Sequence, residues 1–323
     1  MRFSIIIPVY NAEKYIDRLL TSIKNQTFQD YELIIVNDGS TDNSLNILQK
    51  YKQKDNNLTI YSKNNEGPGI ARKFGFEKST GELLFFIDSD DYLKDNNVLE
   101  RIDKLYSEKN FDVLFFDFLS IKGNKISKKN LLFNKKYACG KHEISELDET
   151  IVKGALWGKI IKRKYLKSED FYNSNNFEDY YTTYCFLENC SNFYYTDEAF
   201  YVTDRNNVTS LTKEMNVSKI SDAIDIIFKI YEKSTLKKSI SLLALHYYIY
   251  GYWILSKVND GDKSKIVQKL ESLRSIIPKH TVIEIIKKFN IKYLIYYIYI
   301  KARRRKWKEK KLQKTIFIIY YIK

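Results

Sequence analysis

Five short runs of apolar residues, separated by segments of helical length, constrain the fold of the first third of the chain. The runs lie at Phe3–Val9, Glu32–Asn37, Leu58–Ser62, Leu83–Asp88 and Val113–Phe118. Each is apolar almost throughout and does not alternate with polar residues, which is typical of strands covered on both faces in a parallel sheet. Strand, helix and strand in series therefore predict an α/β class with a Rossmann-like, doubly wound, mostly parallel sheet.

Helical spacing predicts the remaining elements. The helices predicted between the runs span Ala12–Asn25, Asp42–Tyr51, Gly69–Lys78 and Asn97–Glu108. Residues 120–215 indicate mixed structure, with one helix near Phe177–Leu187. From about Val217 onward apolar residues recur at helical spacing, through Ile220–Ile230 and again through Leu242–Val258. We therefore predict a helical C-terminal region over 216–323, with a boundary near 215.

Three carboxylates stand within four residues at Asp88-Ser89-Asp90-Asp91, directly after a strongly apolar run. Carboxylates this close repel one another, so the arrangement is costly unless a cation lies among them. Mg²⁺ and Mn²⁺ take carboxylate and phosphate oxygens, and such an ion typically links one or two carboxylates to a diphosphate. The motif indicates a metal site. The alternative is a solvated turn in which an Asp caps the helix that begins near Lys94.

Other polar clusters lie where ligands bind in such sheets, beyond the carboxyl ends of the strands. Asp38 follows the second run, where an acidic residue can accept hydrogen bonds from a base or a ribose. Arg72 follows the Gly67-Pro68-Gly69 stretch, which can bring backbone N–H groups and a cation to an anion. The alternatives are an ordinary helix N-cap after Asp38, and a flexible loop with a surface arginine.

Two clusters within residues 120–215 are weaker signals. Asp179 opens a helix and can accept a proton from an acceptor hydroxyl, although acids at a helix start are also favoured by the helix dipole. Trp157 and Lys159 offer an aromatic face and a cation. The alternative for that pair is packing and a solvated lysine.

Taken in chain order, these motifs resemble the family 2 glycosyltransferases of the GT-A fold. The resemblance covers roughly residues 3–210, and the combination of motifs is specific. The stretches that carry it are SIIIPVYNAEKYIDRLLTSIKNQTFQDYELIIVNDGSTDNS, GPGIARKFGF, STGELLFFIDSDDYL, WGKIIKRKYL and FEDYYTTYCFL. The resemblance implies a GT-A catalytic domain over 1–215, with nucleotide-sugar binding in 1–120 and the acceptor side in 121–215.

The resemblance also implies a role for individual residues. Those assigned to the nucleotide sugar are Pro8, Val9, Tyr10, Asn11, Asp38, Arg72, Asp88, Ser89, Asp90 and Arg205. Asp88 and Asp90 are the implied metal ligands, and Asp179 is the implied catalytic base. Those assigned to the acceptor side are Asp91, Trp157, Lys159 and Glu178. Two positions depart from the family pattern, which often has Asp at Asn37 and usually has Asn at Lys73.

The implied activity is inverting, metal-dependent transfer of a sugar from a UDP-sugar or similar donor to a hydroxyl. The resemblance implies Mn²⁺ or Mg²⁺ as cofactor, and a glycan or lipid-linked acceptor in the synthesis of a cell-surface polysaccharide such as a capsule. One alternative is a sugar nucleotidyltransferase, but such an enzyme would usually carry a glycine-rich triphosphate loop at the position of Pro8–Asn11. A basic nucleic-acid-binding protein would spread positive charge over its body. A catalytically inactive carbohydrate-binding relative would not need the full set of acids.

Positive charge is concentrated near the end of the chain. The net charge is +14, and residues 301–314 carry nine Lys or Arg against one acidic residue, Glu309. The flanking apolar runs are shorter than the roughly 20 residues that span a bilayer. We therefore predict that segment 291–323 either binds peripherally to an anionic membrane or packs on the body of the protein or on a second subunit, in a homodimer. The short apolar run before Pro8 and the three unpatterned cysteines predict a cytoplasmic protein.

Overall fold

The computed structural model describes residues 1–133, 137–174, 176–206, 216–255 and 263–278. The chain divides into two compact units. The first comprises Met1–Leu147 and Val152–Lys213, and the second comprises Asp148–Ile151 and Glu214–Lys323. The predicted membrane-binding or packing segment 291–323 lies outside the described residues. The functional division into 1–215 and 216–323 stays a prediction.

Strands and helices alternate in the first part of the chain, and helices follow. The strands are β1 Phe3–Val9, β2 Tyr31–Asp38, β3 Leu58–Lys63, β4 Leu83–Phe86, β5 Tyr92–Leu93, β6 Val113–Lys122, β7 Lys125–Lys129, β8 Leu132–Phe133, β9 Gly140–Glu143, β10 Ile151–Val152, β11 Lys159–Lys162 and β12 Asn192–Asp204. The helices are α1 Ile16–Lys24, α2 Ser44–Lys52, α3 Pro68–Lys78, α4 Val98–Lys109, α5 Glu178–Leu187, α6 Val217–Lys233, α7 Lys237–Leu255 and α8 Lys263–Leu273.

The first unit is built on a ten-stranded sheet in the order β3-β2-β1-β4-β11-β6-β12-β5, with β7 beside β6 and β9 beside β12. β1 pairs in parallel with β2 and β4, and β2 pairs in parallel with β3. β6 and β12 also pair in parallel. β11 runs antiparallel between β4 and β6 and joins these two parallel parts. The predicted α/β class with a central, mostly parallel sheet is confirmed, and the antiparallel strands were not predicted.

Burial of the central strands explains their uniformly apolar sequence. All seven residues of β1 and all four of β4 are buried. Helix α1 contributes Ile16, Leu19, Leu20 and Ile23, which recur at helical spacing on one face, to the same hydrophobic cluster as residues of β1 and β4. On α3, a Cβ at Gly75 would lie 2.5 Å from Ile6 Cγ2. Glycine therefore lets the helix that carries Arg72 lie directly against β1.

The predicted helix at Ala12–Asn25 begins later, at Ile16, because the preceding residues bind the loop after β2. Asn11 adopts a left-handed backbone with φ 49°, and its Oδ1 accepts a hydrogen bond from the Thr41 N–H at 2.8 Å. The Ala12 N–H donates to Ser44 Oγ at 2.8 Å. Side-chain hydrogen bonds of this kind compete with the first helical turn. They also join the loops at the carboxyl edge of β1 and β2.

The second unit contains the predicted helical region. Asp148 Oδ1 accepts hydrogen bonds from the Lys238 and Ser239 N–H groups at 2.8 and 3.0 Å, which satisfies donors at the start of α7. Lys269 of α8 forms an ion pair with Asp225 of α6 at 2.6 Å. None of the described helices combines the length and the hydropathy that crossing a membrane requires.

Candidate active site

The acidic cluster Asp88–Asp91 lies in the loop between β4 and β5, beyond the carboxyl end of β4. Asp88, Asp90 and Asp91 each offer one carboxylate oxygen, and these three oxygens lie within 4.8 Å of one another. Burial raises the pKa of Asp91 well above its usual value, and the charges of Asp90 and Asp88 raise it further. Oxygen ligands at this spacing suit a hard divalent cation, which would also relieve the repulsion.

Strand β12 supports this loop from one side. The Asp88 N–H donates to Tyr201 Oη at 3.0 Å, and the Asp204 N–H donates to Asp91 Oδ1 at 3.0 Å. The Trp157 ring stacks on Tyr201, with a centroid distance of 4.9 Å. The resemblance assigns Asp91 and Trp157 to the acceptor side, and both are buried. Asp91 binds the end of β12, and Trp157 packs on Tyr201, which binds the acidic loop. Their contact with an acceptor stays a prediction.

Arg72 connects the acidic loop to the start of α5. Its Nη2 donates to Asp88 Oδ1 at 2.8 Å, and its Nη1 donates to Asp179 Oδ1 at 2.9 Å and to Glu178 Oε1 at 3.1 Å. The guanidinium is buried, and its Nε has no hydrogen-bond partner among the described residues. An implied metal ligand and the implied base, more than 90 residues apart in sequence, are therefore held on one side chain.

Three carboxylates face the single guanidinium, and two of them, Glu178 and Asp179, have raised pKa values. Burial raises the pKa of Glu178 to about 7, the charge of Asp179 adds to the rise, and Arg72 opposes it. Burial also raises the pKa of Asp179, again against the effect of Arg72. Burial alone would lower the pKa of Arg72, but Asp179, Asp88 and Glu178 together raise it, so the guanidinium stays charged. A carboxylate with a raised pKa accepts a proton more readily, as a general base requires.

The backbone before α5 sets the direction of Asp179. Phe177 has a left-handed backbone with φ 63°, a conformation that costs a residue other than glycine about 1–3 kcal/mol and is concentrated at functional sites. The Asp179 carboxylate also accepts a hydrogen bond from the Leu156 N–H. Segment 153–156 therefore contacts the first turn of α5 directly.

Asp38, which the resemblance assigns to the nucleotide, organises the loop before α3. Its Oδ1 accepts a hydrogen bond from Lys63 Nζ at 2.9 Å, and its Oδ2 accepts one from the Gly67 N–H at 2.8 Å. That loop leads into the helix that carries Arg72. Asn37, a departure from the family pattern, accepts a hydrogen bond from the Ser40 N–H at 3.2 Å and so stabilises the turn after β2. Contact of Asp38 with a base or ribose stays a prediction.

The other residues that the resemblance assigns to the nucleotide sugar differ in position and in exposure. Pro8 and Val9 are buried in β1, whereas Tyr10 follows it with half of its surface exposed. Ser89 lies within the acidic loop. Arg205 is exposed after β12, and its N–H donates to the Ile121 carbonyl at 2.8 Å.

Lys159 differs most from its predicted setting. It is fully buried and donates to three backbone carbonyls, at Lys153, Gly154 and Ala155. Burial lowers the pKa of Lys159 to about 7, against the effect of the Asp179 charge. The three acceptors suit the protonated form, because only an ammonium has three N–H donors.

Sequence analysis also missed three groups that form a hydrogen bond with an acidic residue of the site. They are the Tyr201 hydroxyl, the Lys63 ammonium and the Leu156 N–H. The strand that carries Tyr201 was not predicted, and a backbone N–H leaves no signal in the sequence.

The match to a family model decides the class of protein. The model for "Glycosyl transferase family 2" matches residues 4–177, more than half of the chain. The chain belongs to this family. The predictions of a glycosyltransferase and of a GT-A fold are therefore confirmed, and the fold is further supported by solved structures.

Relatives share the catalytic region and the fold to different extents. The "Poly(ribitol-phosphate) beta-N-acetylglucosaminyltransferase TarS" of Staphylococcus aureus is 33% identical over 175 residues, which is 53% of this chain and 29% of TarS. The chain thus matches less than a third of the length of that relative. The crystal structure of S. aureus TarS 1-349 in complex with UDP-GlcNAc has a TM-score of 0.70 at 23% identity, over 87% of this chain and 83% of that one. The mannosyltransferase PcManGT from Pyrobaculum calidifontis, in complex with GDP-Man and Mn²⁺, has a TM-score of 0.53 at 12% identity, over 95% and 88%.

Proposed function

We propose that this family 2 glycosyltransferase moves a sugar from a UDP-sugar to a hydroxyl of a cell-surface glycan or lipid-linked acceptor, with inversion at the anomeric carbon. One observation carries the proposal. Arg72 hydrogen-bonds Asp88 at 2.8 Å and Asp179 at 2.9 Å. The acids that suit a cation bound to a diphosphate and the acid that suits a general base therefore border one small volume, where donor and acceptor would meet.

Asp88 and Asp90 would hold Mn²⁺ or Mg²⁺, with Asp91 beside them. The fit rests on an all-oxygen set of ligands within 4.8 Å and on the repulsion that raises the pKa of Asp91 beyond the effect of its burial. A bound ion would supply electrostatic stabilisation of the charge that grows on the departing diphosphate. PcManGT, whose structure contains Mn²⁺, supports this choice of ion.

Asp179 would accept the proton of the acceptor hydroxyl while the hydroxyl oxygen attacks the anomeric carbon. The sugar–phosphate bond breaks on the opposite face, and the nucleoside diphosphate leaves with the electron pair. This single displacement inverts the anomeric carbon, so an α-linked donor gives a β-linked product. Arg72 would keep the Asp179 carboxylate oriented by donating to its Oδ1. The β-linkage in the name of TarS supports this stereochemistry.

The relatives guide the first choice of substrates. UDP-GlcNAc is the first donor, because TarS was crystallised with it. Poly(ribitol-phosphate) is the first polymeric acceptor, because TarS is named for it. Peripheral attachment to an anionic membrane through residues 291–323 would suit a lipid-linked acceptor and remains part of the proposal.

A UDP-release assay on the full chain tests the function. The assay supplies a panel of UDP-sugars, starting with UDP-GlcNAc, with MnCl₂ or EDTA. We expect metal-dependent turnover that Asp90→Ala lowers by about 10²- to 10³-fold, since this residue would hold the ion that stabilises the leaving group. Asp17→Ala is the matched control, because Asp17 is an exposed acid on α1. Turnover that is equal in MnCl₂ and EDTA would overturn the metal-dependent mechanism.

A further inference from the structure

The Lys159 ammonium is used entirely inside the protein. It is 0% exposed, and it donates to the carbonyls of Ala155, Lys153 and Gly154 at 2.6, 2.9 and 3.3 Å. An ammonium has three N–H donors, and each has an acceptor here. All three N–H groups of Lys159 are therefore used within the protein, and none remains to hydrogen-bond the nucleotide sugar or the acceptor substrate.

The three carbonyls belong to a segment that lies against the first turns of α5. A Cβ at Gly154 would lie 2.6 Å from the Tyr180 backbone nitrogen, so the two backbones are in close contact. Thr183 Oγ1 donates to the Gly154 carbonyl at 2.6 Å and joins the same segment to the second turn. Glycine therefore fits position 154 without displacing the Tyr180 backbone, and a shift of the segment would also shift the start of α5.

The next residue of this segment reaches the proposed base. The Leu156 N–H donates to the Asp179 carboxylate. Three consecutive carbonyls are therefore fixed by one buried cation, and the N–H that follows them binds Asp179. Lys159 also acts through its charge, since it lowers the pKa of Asp179 against the larger effect of burial.

We infer that Lys159 is a positioning residue for the proposed base. Its ammonium holds Lys153–Ala155 against α5, so that the Leu156 N–H keeps the Asp179 carboxylate directed at the acceptor hydroxyl. The inference rests on the proposed function, in which Asp179 is the base. It differs from a purely structural role, in which Lys159 would stabilise the fold without affecting Asp179 in particular.

Steady-state kinetics of Lys159→Met separate these two roles. Methionine keeps the apolar stem and removes the three donors. We expect kcat to fall about 10- to 100-fold with the KM for the UDP-sugar unchanged, because a displaced catalytic group slows the chemical step. Lys162→Met is the matched control on the same strand, since Lys162 is only partly buried and donates to Asn110 Oδ1 at 2.9 Å. Its kcat should match that of the wild type.

A double-mutant cycle with Asp179→Asn tests whether Lys159 acts through the base. If it does, Lys159→Met should change the residual rate of Asp179→Asn by less than about 2-fold, because the group it positions is already lost. An equal fold loss in both backgrounds, or an unchanged kcat in the wild-type background, would overturn the inference. Failure of the wild type to turn over any UDP-sugar would instead count against the proposed function.

Thr183→Val provides a second test that does not depend on the folding of Lys159→Met. It removes the other hydrogen bond to the Gly154 carbonyl and keeps the shape of the side chain. We expect kcat to fall about 2- to 10-fold, in line with the loss of one hydrogen bond, with the KM for the UDP-sugar unchanged. A rise in that KM with an unchanged kcat would contradict the inference.

Discussion

Replacement of Arg72 by methionine tests the charge balance at the start of α5. The wild-type guanidinium donates to Asp88, Glu178 and Asp179 at 2.8, 3.1 and 2.9 Å. Methionine keeps most of the apolar stem and removes the charge. The three carboxylates would then share a partly buried volume with no counter-charge from this side chain.

The cost follows from the burial of the partners. The side chains of Arg72 and Glu178 are 7% and 9% exposed, and those of Asp179 and Asp88 are 21% and 30% exposed. Removing one partner of a buried ion pair costs about 3–5 kcal/mol. Solvent screens Asp88 more than the others, so we expect the lower end of that range, about 3 kcal/mol, near pH 8.

The cost should shrink as the pH falls. Arg72 lowers the pKa values of Glu178 and Asp179, so without it both carboxylates hold protons to a higher pH in the folded state. The folded variant then binds more protons than the unfolded chain, and its stability falls more steeply with rising pH than that of the wild type. Relative to wild type, Arg72→Met should recover stability through Glu178 as the pH falls toward about 7, the pKa of Glu178 in the wild type.

Urea unfolding at about pH 8 and at about pH 5 measures both effects. Arg101→Met is the control, because Arg101 pairs with Asp95 and Glu198 but all three side chains are at least 35% exposed. We expect that control to lose less than about 1 kcal/mol at either pH. The reasoning is wrong if Arg72→Met loses no more than Arg101→Met near pH 8, or if its loss does not depend on pH.

Three further predictions concern the residues around the base. Asp179→Asn should lower kcat about 10²- to 10⁴-fold with a nearly unchanged donor KM in steady-state kinetics, and a kcat within about 10-fold of wild type would exclude Asp179 as the base. The free energy of unfolding of the wild type should fall by about 3 kcal/mol as the pH rises from 4.5 to about 7, because burial penalises the charged form of Glu178. Urea unfolding of Glu178→Gln should lack this decline, and a pH profile identical to that of the wild type would contradict the raised pKa. Gly154→Ala should cost about 1–3 kcal/mol, because its Cβ would lie 2.6 Å from the Tyr180 nitrogen; an unchanged melting temperature would show that the segment can move away freely.

The sequence predicted β1, β2, β3, β4 and β6 and missed the other strands. β1 matches its apolar run at both ends, because uninterrupted burial leaves a continuous signal. β11 has four residues and β5 has two, which is too short for any periodicity to show. The antiparallel insertion of β11 between β4 and β6 also depends on long-range pairing, which no local pattern encodes.

Within the site, the acids were predictable and their partners were not. Asp88, Asp90 and Asp91 form a costly cluster that is visible in sequence, and the structure brings their oxygens within 4.8 Å. A sequence does not show which side chain neutralises which, so the contacts of Arg72 with the start of α5 were not predicted. The resemblance placed Lys159 at the acceptor side, and the alternative was a solvated lysine. Its burial was not predicted, because its partners are backbone carbonyls that every sequence contains.

The two buried cations at the start of α5 are not interchangeable, and their geometry explains why. The planar guanidinium of Arg72 presents several donors in a fork, which lets it bind carboxylates from the acidic loop and from α5 at once. The compact ammonium of Lys159 presents three diverging donors, which suit three consecutive carbonyls of a tight segment. Both cations lower the pKa of Asp179 against the effect of burial. Exchanging the two residue types would preserve the charge and break both sets of hydrogen bonds, so orientation of the base depends on donor geometry as well as on net charge.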